Sequence, residues 1–269
     1  MKKLVYLLMS LSFVAFVSCS DDKENEQSGP GNVPENSSSV LSSSGKERGH
    51  SYVDLGLPSG TLWATCNVGA ATPQDYGNHY AWGETAPKSI YYWSTYKYGS
   101  GSNHLIKYTD SEHGKDDFVD SKTVLDLSDD AAYVNWGGKW RMPTDVQLYE
   151  LRDQCYWVWS ESYNSSGVKG YIVYKAKNSS DMGKHVYKGQ TPSSSYTLSD
   201  AHIFLPAAGY RYGDGLAEVN GGGYYWSLSL YTEKPISAWS ISFFYYSEMA
   251  GYSINRFFGH TVRAVIPGK

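Results

Sequence analysis

The sequence predicts an α+β fold of mainly antiparallel strands with one or two helices and long loops. Three observations carry that expectation. Near the C-terminus, Trp226, Leu228 and Leu230 alternate with Ser227, Ser229 and Tyr231, and Trp239, Ile241 and Phe243 alternate with Ser240, Ser242 and Phe244. A period of two sends alternate side chains to opposite faces of a strand. One helix start is also spelled out, at Thr144 to Gln147. Finally, tyrosine is far above its usual share, at 25 of 269 residues, which suits an exported protein with aromatic-rich surfaces.

Taken in order, the chain opens with Lys2 and Lys3 and then an apolar run, Leu4 to Val17, too short to span a bilayer comfortably. The run ends in Phe16-Val17-Ser18-Cys19, which resembles a bacterial lipobox. The resemblance implies a signal peptide over 1–18 and lipid attachment at Cys19, where several acyl chains at about 0.8 kcal/mol per buried methylene make a firm anchor. Ser20-Asp21-Asp22-Lys23-Glu24 resembles the acidic signal that sends Bacteroidetes-type lipoproteins to the outer cell surface. The expected location is therefore the outer membrane, lipid-anchored and facing outward. From 19 to 48 the chain is Ser, Asn, Glu, Gly and Pro with few apolar residues. Such a segment cannot offset its ordering entropy by burial and reads as a tether. One domain over 49–269 is the simplest partition of the rest.

Within that domain, Pro58-Ser59-Gly60 separates two short apolar runs and predicts a hairpin over 50–70. Irregular chain is expected from Pro87 to Lys122, followed by a short helix over 128–134 capped by Ser128 or Asp129. Thr144 as N-cap with Gln147 at N3 forms a capping box. Leu148, Leu151 and Cys155 then make one apolar stripe, and Asp145 and Arg152 suit the two ends of the dipole. Strands are expected at 170–175, at 201–207 and in the C-terminal runs.

The C-terminal alternation also points to function. The face opposite Trp226, Trp239, Ile241 and Phe243 carries serine and bare aromatics instead of the Lys, Glu and Thr that keep a solvated strand face soluble. Tyr, Ser, Gly and Asn form adaptable binding surfaces, with aromatics giving area at low entropy cost. The net charge of −4 and the lack of any basic run exclude the electrostatic footprint of a nucleic-acid binder.

Catalytic patterns are missing from the sequence. The histidines, at 50, 79, 104, 113, 185, 202 and 260, show no HExxH spacing, and there is no CxxC or G-x-S-x-G. His104 and His113 flank Asp110 and Glu112, a set that reads as a solvated charge cluster before it reads as a metal site. The run Gly221-Gly222-Gly223 leads into a strand and is no phosphate cradle. No metal, no cofactor and no enzyme activity is expected. Cys66 and Cys155, the thiols left after lipidation, could pair in an oxidising envelope or pack separately as small apolar residues.

Several segments in order carry a family resemblance: 53–70 (VDLGLPSGTLWATCNVGA), 75–84 (DYGNHYAWGE), 136–144 (WGGKWRMPT), 203–211 (IFLPAAGYR), 222–227, 238–243 and the closing R-x-x-G-H-T-V-R-A-V of 256–265. Together they resemble the Fibrobacter succinogenes major paralogous domain family. That family is similar to the C-type-lectin-like fold, in the branch that holds formylglycine-generating enzymes. The resemblance implies a ligand face built from C-terminal strands and loops. It also implies that formylglycine chemistry would need C-terminal cysteines, and none follows Cys155. Neither Glu-Pro-Asn nor Trp-Asn-Asp occurs, and Glu233-Lys234-Pro235 puts a lysine where a calcium-binding lectin needs an acceptor.

Some lipoproteins of this fold are diversified by retroelements that mutate adenines, with Asn codons as favoured targets. Residues reachable from Asn codons here are Tyr231, Ser240, Ser242, Phe244, Tyr245, Tyr246, Ser247, Tyr252, Ser253, Asn255, Phe257, Phe258 and His260. These thirteen are the expected ligand-binding residues. The expected function is a surface lipoprotein that binds a protein or glycan ligand, with diversification of this kind as one reading of its C-terminal face. The alternatives are a glycan-binding, adhesion or fimbrial lipoprotein of fixed specificity and, third, an enzyme of the formylglycine-generating branch.

Overall fold

A computed structural model describes residues 44–268, and the side chains of all of these except 248–250. Cys19, the leader and most of the tether lie outside the described residues. In chain order the strands and helices are β1 (Ser44–Glu47), β2 (His50–Asp54), β3 (Leu62–Asn67), α1 (Ala131–Trp136), α2 (Asp145–Gln154), β4 (Cys155–Ser160), β5 (Gly170–Lys175), β6 (His185–Val186), β7 (His202–Pro206), β8 (Tyr210–Tyr212), β9 (Gly215–Ala217), β10 (Gly222–Leu230), β11 (Ser237–Phe244), β12 (Ser247–Asn255) and β13 (Arg263–Ile266). This is a mainly-strand α+β fold. Its sheets run β1-β2-β3-β13, β6-β4-β5-β7, β10-β11-β12 and the ribbon β8-β9. All pairings are antiparallel except β4 with β6.

The hairpin expected over 50–70 forms as β2 against β3. The strand before it does not follow from composition. Ser44 to Glu47 falls in the segment assigned to the tether, yet it pairs with β2, and the Glu47 carbonyl accepts the indole N–H of Trp140 at 2.9 Å. Backbone pairing orders a segment that has little apolar surface of its own.

The first helix starts at Ala131, three residues later than expected. Asp130, not Ser128 or Asp129, accepts from the amides of Ala132 and Tyr133. Asp129 is instead buried and accepts from Tyr98, Tyr108 and Lys107. The second helix starts as expected: Thr144 Oγ1 accepts from Gln147 N at 3.1 Å, and Gln147 Oε1 accepts from Thr144 N at 2.9 Å. Leu148 and Leu151 are buried, but the helix ends at Gln154 and Cys155 opens β4. The Cys155–Ser160 run, CYWVWS, goes directly from helix to strand with no turn residue between them.

The disulfide considered between Cys66 and Cys155 is not formed, and both thiols are buried. Cys66 Sγ lies against Thr65 Oγ1 and the Ala71 carbonyl. Cys155 is packed in the core with Leu148, Leu151 and Trp157.

The sheet that positions the candidate site is β10-β11-β12, with one face in the core and the other covered around Trp226. Register sets the faces: Tyr225 stands opposite Ile241, and Trp226 opposite Ser240. Residues directly opposite share a face. Tyr225, Ile241 and Phe243 therefore enter one core with Trp157, Tyr171 and Val265. Trp226, Leu230 and Ala238 enter a second, with Trp82, Trp140 and Tyr108. Trp226 does not share the Trp239–Ile241 face, as alternation alone suggested. A third cluster covers the outer side of β4-β5-β7 around Tyr156, Tyr174 and Phe204. Each large side chain fully buried in these clusters stabilises the fold by about 1.5–3 kcal/mol relative to its exposed state.

Candidate ligand-binding site

The closing motif, 256–265, is structural. Arg256, Thr261, Val262, Arg263, Ala264 and Val265 are all buried. Arg256 sits over Trp82 and Tyr96, each 5.4 Å from the guanidinium carbon to the ring centroid, and donates to the carbonyls of Lys107 and Tyr108. Gly259 admits no side chain, because a Cβ there would lie 2.6 Å from the Tyr91 ring.

Four of the thirteen expected contact residues are buried with this motif or beneath the sheet. Ser240 and Ser242 are on the central strand, where their short side chains lie between larger neighbours. Trp226 and Tyr252 stand on either side of Ser240, Tyr224 stands opposite Ser242, and Ser240 Oγ donates to the Tyr252 carbonyl. Phe257 packs on Trp93 at 5.0 Å. His260 stacks on Trp226 at 4.1 Å and is 1% exposed. Small size and a central strand position, which alternation does not register, remove Ser240 and Ser242 from an open face, and ring packing removes Phe257 and His260. Tyr231 lies elsewhere: it packs on Trp239 and bonds Glu233.

The remaining expected residues meet others that the alternation did not single out. Eight rings form one continuous strip over the surface, in the order Tyr92, Tyr212, Phe258, Tyr210, Tyr224, Phe244, Tyr246, Tyr245. Successive ring centroids are 4.7–5.8 Å apart. Four come from the expected set and four do not. Tyr210 and Tyr212 alternate along β8, which puts both on one side of that ribbon. Tyr224 comes from β10 and Phe244 from β11; Tyr245 and Tyr246 turn the chain into β12. Tyr246 is 63% exposed and Tyr212 48%, while Phe258, Tyr210, Tyr224 and Phe244 are half-buried. Tyr252, 49% exposed, and half-buried Ser247 stand on β12.

Beside the middle of the strip lies an open cleft of about 480 Å³. Tyr210, Tyr224 and Phe258 provide its rings, His260 also lines it, and Lys234, Ser237, Ser253, Ile254 and Asn255 complete the lining. Burial, and then the neighbouring His79, hold the His260 imidazole neutral, far below the usual histidine range. Burial also pushes the Tyr224 hydroxyl up, which keeps it a hydrogen-bond donor. Among the described residues, Lys234 is therefore the single charged group in the lining. The signal that could have found Tyr210 and Tyr212 is the period-two spacing of two tyrosines next to Gly209 and Gly213.

Among the described residues, no group of three or more His, Cys, Asp or Glu side chains is placed to hold a metal. His113 and Asp110 pair with one another, Nδ1 to Oδ1 at 2.8 Å. No helix is long and apolar enough to cross a membrane among the described residues. No protein-family model, no curated protein and no solved structure matches the chain.

Proposed function

We propose that this protein is an outer-membrane lipoprotein, anchored through Cys19, whose C-type-lectin-like domain binds a ligand at the cell surface without catalysis. The observation that carries the reading is the eight-ring strip bordering the 480 Å³ cleft. An exposed aromatic patch of this extent costs solubility and marks an interaction surface. Clefts of a few hundred cubic ångströms with a ring wall and a few convergent polar groups suit small-molecule or saccharide units. A glycan is therefore favoured over a protein epitope.

Fixed specificity is favoured over retroelement diversification by the burial of Ser240, Ser242, Phe257 and His260. Randomising four buried positions would disturb packing in most variants, at about 1–3 kcal/mol for each overpacked site. Deep sequencing of the 3′ end of the gene across one strain separates the two: a uniform sequence supports fixed specificity, and substitutions clustered at adenines refute it. For binding itself, the full chain in detergent is applied to glycan and protein arrays. Retention that is lost in Phe258→Ser and Tyr246→Ser, with unchanged unfolding, supports the reading. Retention that both variants leave intact overturns it.

A further inference from the structure

We infer that the cleft takes the carboxylate-bearing ring of an acidic saccharide, with Lys234 as its counter-charge. The inference rests on the ligand-binding reading above and adds the ligand's charge and orientation.

The lining of the cleft offers one cation and amide donors. The Asn255 carboxamide oxygen already accepts from Ser237 Oγ at 3.3 Å, so the amide offers its donor end. Lys234 adds three donors and no acceptor, and it makes no ion pair among the described residues. Among the described residues, no carboxylate lines the cleft. The nearest acid in sequence, Glu233, is taken up by the Tyr231 hydroxyl at 2.6 Å. One cation, the donor end of the Asn255 amide and no carboxylate among the described lining residues match a negatively charged group.

The rest of the lining states what carries that group. Tyr210, Tyr224 and Phe258 offer ring surface for the apolar face of a pyranose, which a free carboxylate would leave unused. Lys234 and the Asn255 amide mark the end of the cleft that suits the carboxylate, and the negative charge of Glu218 acts at the Tyr224 hydroxyl instead. Sugars before and after the bound unit would then run along the strip.

The test compares two probes that differ only in charge: a hexamer of galacturonic acid and the same hexamer with its carboxyls methyl-esterified. Each is titrated calorimetrically into the full chain in detergent. The free acid is expected to bind about three- to fivefold tighter, the range an exposed ion pair supplies, and high salt should shrink the difference. Lys234→Gln should abolish the preference for the free acid over the ester. Phe258→Ser should weaken both. Equal binding of acid and ester, or a preference that survives Lys234→Gln, overturns the acidic assignment and leaves ring-based binding standing. Binding of neither probe overturns the saccharide assignment; a protein ligand still sensitive to Tyr246→Ser would then keep the broader reading.

Discussion

Arg263 on β13 donates from Nη2 to the carbonyl of Phe204 on β7 at 2.8 Å, joining two different sheets. The same guanidinium reaches Asn67 Oδ1 and the carbonyls of Ala64 and Thr65. Only a planar fork with several donors can serve acceptors in these directions together. Arg263→Lys is expected to cost about 3 kcal/mol, since buried acceptors lose donors. Urea unfolding measures it, and a loss below about 1 kcal/mol would mean that water replaces the missing contacts.

Arg256 differs, although it is as deeply buried. Its Nε and Nη2 have no hydrogen-bond partner among the described residues, and burial lowers its affinity for the proton. Replacing a poorly satisfied buried charge by an apolar side chain of similar length is often neutral. Arg256→Met is therefore expected to cost less than half as much as Arg263→Lys in the same unfolding experiment.

The sequence treats Phe257 and Tyr246 alike, as residues reachable from one codon, and the fold separates them. Phe257→Ala should cost about 3–5 kcal/mol, because it empties a core site. Tyr246→Ser should stay within about 0.5 kcal/mol, as for most surface changes. Guanidinium unfolding of the two variants checks the pair.

What could be read in advance follows from the range of the interactions. The capping box at Thr144 and Gln147 and the hairpin over 50–70 depend on neighbours in sequence, and both form as read. Alternation along β11 correctly put Ile241 and Phe243 in a core. It could not say that Tyr225, not Trp226, stands opposite Ile241, because register is a relation between strands. Nor could it show that a second core covers the opposite face, which is why Ser240 and Ser242 were expected at the surface. The strip was half legible for the same reason: Phe244, Tyr245, Tyr246 and Phe258 fall in the aromatic tail, whereas Tyr92 reaches them only through the fold.

The thiols give a further test. Burial pushes the Cys155 thiol far above the usual range, so it is protonated and unreactive in the folded chain. Native protein should not be alkylated at Cys155, and the unfolding midpoint should be the same with and without reductant. A midpoint that falls on reduction would show that Cys155 and Cys66 are bonded.

Acid should weaken this domain before its carboxylates titrate. His79 donates from Nε2 to the Ala208 carbonyl, and burial holds its pKa at about 4, with the charge of Arg211 acting in the same direction. His260, buried against Trp226, is also lowered, first by burial and then by His79. A histidine with a lowered folded pKa is neutral in the fold and takes up a proton more readily once unfolded. Its contribution is therefore complete above the unfolded value of about 6.5 and is lost as pH falls towards the folded one. For His79 alone that is on the order of 2 kcal/mol between pH 7 and pH 5. Asp129 works in a lower window: burial raises its pKa, but hydrogen bonds from Lys107, Tyr108 and Tyr98 outweigh this and hold it at about 2. Its contribution is lost only below the ordinary carboxylate range. Denaturant unfolding at pH 7 and pH 5 should thus show a drop that is smaller in His79→Gln. Stability that stays level from pH 7 to pH 5 would mean that both imidazoles reach solvent.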